Sequence, residues 1–313
     1  MAFWPFDAEN LKWRPCDRRA CGHFMALAFD PGAIRRYVER AIQDLPALPA
    51  AVAKVLELTQ SETASSQDIE KALAGDTAIA GKMLRVVNSA YYGLPHQVDS
   101  IGHAVVILGM RQIRNLVLSL AAMSLVRGRA TLSPEAQLLF WRHSFGVGAS
   151  AQKLAEDHGA DAHTCDTAQL CGLLHDIGRL FLLCHFPDLY RATVRAAETQ
   201  GIDLTDGERV VLCIDHAEVG EAICRAWSLP DAIAEPVGEH HTEFTDYTTF
   251  LGRVTRSADW IVTSAGIPSV EGNMTHPCQD VIAWLKMGPD EIHAHIEHVN
   301  VRVTAAEEFF GIL

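Results

Sequence analysis

The stretch Gly172 to Leu180, GLLHDIGRL, sets an imidazole and a carboxylate side by side, His175 and Asp176, inside a run of leucine and isoleucine. A buried polar group without a partner costs several kcal/mol, so their polar ends require a counter-charge, a hydrogen-bond network or a metal. Other polar residues fall on apolar stripes in the same way. His143 follows Leu139 and Phe140 and precedes Val147, Ser150 and Leu154 at helical spacing. Asp259 lies among Leu251, Val254, Ala258, Ile261 and Val262, and His240 and His241 share a face with Ile233 and Val237, where Pro236 is expected to kink the helix. His216 opens the stripe Val219, Ile223, Trp227, with Asp215 as a candidate cap. Taken singly, each reads as a satisfied core histidine or a paired aspartate. Six or seven of them, about one per helix, point to a shared interior site. A divalent transition metal accepts imidazole nitrogen and carboxylate oxygen together, and a carboxylate can bridge two metals. Neighbouring residues on a helix are about 100° apart, so His175 and Asp176 are expected to straddle such a site from one turn. A hydrogen-bond network left where a metal once sat is the alternative.

The elements that must position these groups read as helices. From Pro31, Ile34, Val38 and Ala41 recur at three and four residues until LPALP, 45 to 49, breaks the run. Val52, Val55, Leu56 and Thr59 form the next stripe. Ser65 or Ser66 caps a helix through Ile69 and Leu73, and Asp76 or Thr77 caps the one from Ile79 to Val87. NSAYYGLPHQVDS, 88 to 100, is turn-rich; Ser100 or Gly102 opens a stretch to Leu108, which Gly109 stops, and Ile113 to Val126 resumes it. GRATLSPEA, 128 to 136, is the candidate boundary, with Ser133 and Pro134 as a helix start. The second half predicts helices at about 134–158, 167–186, 188–200, 206–213, 216–227, 230–241, 248–265, 278–286 and 289–312. No β alternation is long enough to build a sheet. The fold class is therefore all-α with two helical lobes: an extension over 1–30, a first helical lobe over 31–130, and a second over 131–313.

Composition limits the partners. With 26 basic against 39 acidic residues the net charge is −13, which opposes attraction to a phosphate backbone or an anionic membrane. Arg111, Arg114, Arg127 and Arg129 form the one local basic cluster that suggests DNA, and a solvated helix face explains them equally well. The eight cysteines lack paired zinc spacing and several sit in apolar runs, as reduced thiols of a cytoplasmic protein would. The start MAFWPFDAEN does not read as a signal peptide, and no apolar run reaches membrane-spanning length.

The order His143, His175-Asp176, His216, His240-His241, Asp259 resembles the HD-domain phosphohydrolase superfamily. That resemblance implies that His143, His175, Asp176 and Asp259 match a mononuclear metal set, and that His216, His240 and His241 match the added ligands of the binuclear, HD-GYP-like branch. Iron, zinc or manganese would be the divalent ion. LPALPAAVAKVLELTQ, then DTAIAGKMLRVVNSAYYGLPHQVDSIGHAVVILGMRQIRNLVL, WRHS, GLLHDIGRL, DHAEVGEAICRAWSLP and HH resemble the HD-related output domain, HDOD, over about residues 38 to 265. This implies an HD-like helical bundle for the second lobe and a bacterial signal-transduction module that acts through protein contacts rather than hydrolysis. Two departures from the hydrolytic branch matter. TEFTDYTTF follows His241 where those enzymes carry their glycine-containing GYP loop, and Arg179 stands where they carry lysine, which makes it a candidate phosphate contact.

Three functions compete on this sequence. A non-catalytic output module that docks a signalling partner is favoured by the missing GYP loop; Tyr91, Tyr92 and Leu94 in its NSAYYG turn serve either as a partner site or as packing. A metal-dependent phosphohydrolase acting on a phosphodiester or a nucleotide is favoured by the complete ligand-like set. DNA binding is disfavoured by the global charge.

Overall fold

The computed structural model describes residues 6–7, 12–13, 31–59, 61, 63–124, 132–270 and 278–310. The chain is helical as expected. Its only β pairing among the described residues joins β1 (Phe6–Asp7) to β2 (Lys12–Trp13), antiparallel and two residues long. Arg127 and Arg129, most of the extension over 1–30 and part of the 128–136 boundary lie outside the described residues.

Among the described residues six helices come first: α1 (Pro31–Gln43), α2 (Ala50–Thr59), α3 (Ser66–Ala74), α4 (Thr77–Val87), α5 (Ile101–Leu108) and α6 (Met110–Ser124). Their starts follow from side-chain capping of amides that have no carbonyl partner in the first turn. Ser65 and Asp68 form a reciprocal capping box on α3, Asp76 accepts from the Ile79 amide of α4 at 3.0 Å, and Ser100 accepts from the His103 amide of α5 at 3.2 Å. Gly109 separates α5 from α6 at φ 84°, a backbone that a residue with a Cβ rarely adopts.

Ser133 caps α7 (Pro134–Asp157) with Pro134 in its first turn. There follow α8 (Ala162–Leu174), α9 (Ile177–His185), α10 (Pro187–Gln200), α11 (Leu204–Leu212), α12 (His216–Ala226), α13 (Asp231–Glu239), α14 (Phe250–Ser264), α15 (Gln279–Leu285) and α16 (Pro289–Phe310). The single helix expected over 167–186 is two. The chain bends at His175-Asp176, where Asp176 leaves helical backbone at φ −94°, ψ 13°, so the doublet sits in a corner and not on one helical turn.

One core runs unbroken from Val38 and Ile69 through Val117, Phe140 and Leu170 to Val219 and Val237, and a second packs α7 and α14 against α16 through Val147, Ala258, Val262, Val299 and Val303. Polar contacts reinforce the junction of α6 with α8: Asn115 Nδ2 donates to the Asp166 carbonyl at 2.8 Å and Gln112 Nε2 to the Asp166 carboxylate at 2.7 Å. Arg111, exposed, pairs with the same carboxylate, whereas Arg114 is buried beside Asn115 and does not belong to a solvated face. Tyr91 is packing: buried, it lies edge-on to Phe145 of α7, accepts from Gln169 of α8 and carries the Arg302 guanidinium of α16 over its ring. No single described helix is long and apolar enough to cross a membrane.

Candidate metal centre

Glycine contacts bring the site's helices together. An added Cβ on Gly172 of α8 would stand 2.7 Å from the Val147 carbonyl oxygen and 2.8 Å from the Gly148 backbone of α7, so these helices touch backbone to backbone. Gly178 of α9 approaches Gly220 and the His216 carbonyl of α12 as closely. The corner at 175–176 therefore sits between two near-contacts, with His143 one helical turn before Val147 on one side and His216 on the other.

All seven residues expected to act as ligands converge there. Nearly all are inaccessible: His216 and His240 are 0% exposed, His143 and His175 1%, and Asp176 2%. Only Asp259, 16% exposed, and the half-buried His241 reach toward solvent. Asp176 divides the groups into two sets. Its Oδ2 lies 3.6 Å from His175 Nε2 and 3.8 Å from His143 Nε2, and Asp259 Oδ1 completes that set at 3.3 Å from His143 Nε2. Its Oδ1 faces His216 Nε2 at 3.0 Å and His240 Nε2 at 3.9 Å, while His241 Nε2 lies 3.0 Å from His216 Nε2.

Three rings are held in one tautomer. His143 Nδ1 donates to the Ile267 carbonyl at 2.7 Å, His175 Nδ1 to the Gly172 carbonyl at 2.7 Å, and His240 Nδ1 to the Val237 carbonyl at 2.6 Å. With Nδ1 carrying the proton, each neutral ring turns the lone pair of Nε2 into the cluster, which is how outer partners orient metal-ligating histidines. His143 Nε2 and His175 Nε2 then stand 3.1 Å apart. Two lone pairs that close repel unless a proton or a cation lies between them. Neighbouring ligands bound at roughly 2.0–2.2 Å from one ion are separated by about 3 Å, so nitrogens and carboxylate oxygens at these spacings fit a divalent ion. They are a His/Asp cluster able to hold one.

Burial and the neighbouring charges pull on these groups in opposite directions. Burial works against a charge on His143, but the Asp259 carboxylate raises its pKa, whereas burial lowers that of His175. Burial likewise opposes ionisation of Asp176, and the Arg179 guanidinium, His175 and His216 hold its carboxyl well below the usual range. Burial and the neighbouring His175 and His216 push His240 down to about 3.

Arg179, expected to meet phosphate, points inward. Its Nε donates to Asp176 Oδ1 at 3.1 Å, its Nη1 to the Tyr190 hydroxyl at 3.3 Å, and its Nη2 lies against His216, 2.9 Å from Nε2 and 3.1 Å from Nδ1. Behind it stands a carboxylate that sequence reasoning missed. Glu208, fully buried on α11, accepts from His216 Nδ1 at 2.6 Å, from the His216 amide at 2.8 Å and from the Tyr190 hydroxyl at 2.6 Å. The signal was present, because Leu204, Glu208 and Leu212 recur every four residues and place Glu208 on an apolar stripe, as His143 is.

A helical chain with seven His and Asp ligand candidates gathered at an HD corner is of the HD type. Residues 45–243 match the HDOD domain family, and the chain belongs to that family. An uncharacterised protein of Treponema pallidum (strain Nichols) is 26% identical over 201 residues, covering 64% of this chain and 38% of that protein, so the chain spans well under half of that relative. An HDOD domain protein of unknown function from Geobacter sulfurreducens superposes with a TM-score of 0.69 at 22% identity, covering 88% of this chain and 98% of that one. A provisionally assigned signal transduction protein from Marinobacter aquaeolei VT8 gives 0.71 at 20% identity, over 95% of this chain and 66% of that one. A provisionally assigned metal-dependent phosphohydrolase from Shewanella amazonensis SB2B gives 0.62 at 21% identity, over 88% and 99% of the two chains. At these identities the likeness establishes a shared fold.

Proposed function

We propose that this chain is a cytoplasmic bacterial signal-transduction output module that acts by docking a partner protein, with its His/Asp cluster as an internal metal-holding brace and not as a hydrolytic centre. The burial of the cluster carries this reading. Hydrolysis of a phosphodiester needs the substrate held in line with a metal-activated water, and of the seven ligand candidates only Asp259 and His241 reach toward solvent. His143, His175, Asp176 and Asp259 would hold iron, zinc or manganese. Bound there, the ion would supply charge to neutralise the Asp176 and Asp259 carboxylates and, where water reaches it, Lewis acidity. The TEFTDYTTF segment after His241, in place of a glycine-containing loop, further supports a chain that does not turn over cyclic-di-GMP.

A metal-dependent phosphohydrolase acting on a phosphodiester or nucleotide is the competing reading, favoured by the completeness of the ligand set. One comparison separates the two. Wild type and Asp176→Ala, each supplied with iron, manganese or zinc, are assayed against cyclic dinucleotides, nucleotides and a generic phosphodiester. The output-module reading expects no turnover by either protein and a lower thermal midpoint for the variant. Turnover by wild type that Asp176→Ala abolishes overturns it.

A further inference from the structure

The two ligand sets are unequal, and the inequality rests on Arg179. Around Asp176 Oδ2 stand two imidazoles and a second carboxylate, Asp259. Near Asp176 Oδ1 stand His216 and His240, at 3.0 Å and 3.9 Å, and His241 joins them through His216, whose Nε2 lies 3.0 Å from His241 Nε2 and 3.2 Å from His240 Nε2. By spacing alone His143, His175 and Asp176 form one group that could hold a metal, and His216, His240 and His241 form another. The second, however, already contains a permanent cation. Arg179 Nε takes the Asp176 oxygen that a second ion would share, at 3.1 Å, and Arg179 Nη2 rests 2.9 Å from the His216 nitrogen that it would use.

That guanidinium is fixed. Arg179 is among the largest fully buried side chains of the protein, and Tyr190 and Glu208 hold it from behind. Swinging it aside would strip Asp176 and Glu208 of their counter-charge in the interior, where an unpaired carboxylate is costly. An arginine keeps its charge at all ordinary pH and, unlike lysine, cannot give up a proton to make room.

We infer that Arg179 occupies the second cation position of the cluster as a built-in guanidinium, so that the chain holds one divalent ion, at His143, His175, Asp176 and Asp259, where an unblocked cluster of the same ligands would hold two. This rests on the metal reading above and specifies it. With an ion bound, Asp176 would lie between two cations, of which one, Arg179, is covalently part of the chain.

The test is metal stoichiometry and magnetic coupling on the full chain, stripped of metal and saturated anaerobically with Mn(II). Wild type should bind one ion per chain by elemental analysis and give the six-line spectrum of isolated Mn(II). Arg179→Gln, which keeps a polar side chain but removes the charge, should bind two and show the multiline spectrum of a coupled pair, while Arg179→Lys, which can lose its proton, should fall between one and two. Two ions per wild-type chain would overturn the inference and leave the metal reading intact. No bound ion would overturn both. Should Arg179→Gln not fold without metal, its recovery on adding Mn(II) at two equivalents supports the inference, and recovery saturating at one equivalent refutes it.

Discussion

Replacing Gly178 by alanine adds a single methyl group at the point where α9 meets α12, and the structure fixes what it strikes. The new Cβ would lie 2.5 Å from the Gly220 amide nitrogen and closer still to the His216 carbonyl oxygen. Against an ordinary contact of 3.4 Å the shortfall is about 0.9 Å or more, and both obstacles are backbone, which cannot rotate away. The helices must separate by that amount. His216 then retreats from Asp176 Oδ1, now 3.0 Å away, beyond the reach of a hydrogen bond. Overpacking alone costs about 1–3 kcal/mol, and loosening a buried charged contact adds about 1.5–3 kcal/mol. We expect Gly178→Ala to lose roughly 2.5–6 kcal/mol in urea unfolding, the sum of those two effects. Gly75→Ala is the control, since a Cβ there meets nothing within 4 Å and φ is −78°; it should stay within about 0.5 kcal/mol of wild type. Equal stability of the two variants would refute the reasoning, because it would mean that the α9 to α12 contact can relax without expense.

Asp176→Asn keeps the shape of the corner but removes the charge shared by Arg179 and His216; it should cost about 3–5 kcal/mol, and a loss below 1 kcal/mol in chemical denaturation would show that the ion pairs add little. Tyr190→Phe deletes the 2.6 Å hydrogen bond to the Glu208 carboxylate and should cost about 1.5–3 kcal/mol, read from the same curves. His295 offers a pH test away from the cluster. Burial pushes it down to about 4, with Asp157 opposing and His298 and Lys153 adding to the effect, while its Nε2 meets Ser150 Oγ at 2.9 Å. A depressed pKa favours the neutral folded form, so this contribution is complete above the ordinary value near 6.5 and drains away as pH falls toward 4, by at most about 3 kcal/mol. Thermal midpoints of wild type and His295→Gln should therefore converge between pH 6.5 and 4; parallel profiles would exclude the effect.

The helices and the candidate ligands were legible in the sequence for one physical reason. A polar side chain on an apolar stripe is a local pattern, so His143, His216 and Asp259 could be found without knowing what faces them. Caps are equally local, as Ser65, Asp76, Ser100 and Ser133 show. The corner at His175-Asp176 was not legible, because 167–186 carries continuous helical periodicity and nothing in it demands a break. The bend follows from the approach of Gly172 to α7 and of Gly178 to α12, contacts between segments far apart in sequence. The interior partners of Arg179 were not legible for the same reason: it was read as a candidate phosphate contact because it stands where the hydrolytic enzymes carry lysine, and Glu208, which faces it, comes from another helix.

The carbonyls that receive the histidine rings have a second role. Gly172 and Val237 lie in the last turns of α8 and α13, where carbonyl oxygens have no amide partner within the helix. His175 and His240 are thus C-terminal caps as well as ligand candidates, each reaching back three residues. Fraying of either helix end releases a ring, and anything that grips the ring steadies the helix end. The two events share one equilibrium, and their linkage is reciprocal. Amide hydrogen exchange over the last turns of α8 and α13 should slow when the cluster is loaded. A surface contact that stiffens those turns would tighten the interior without touching it.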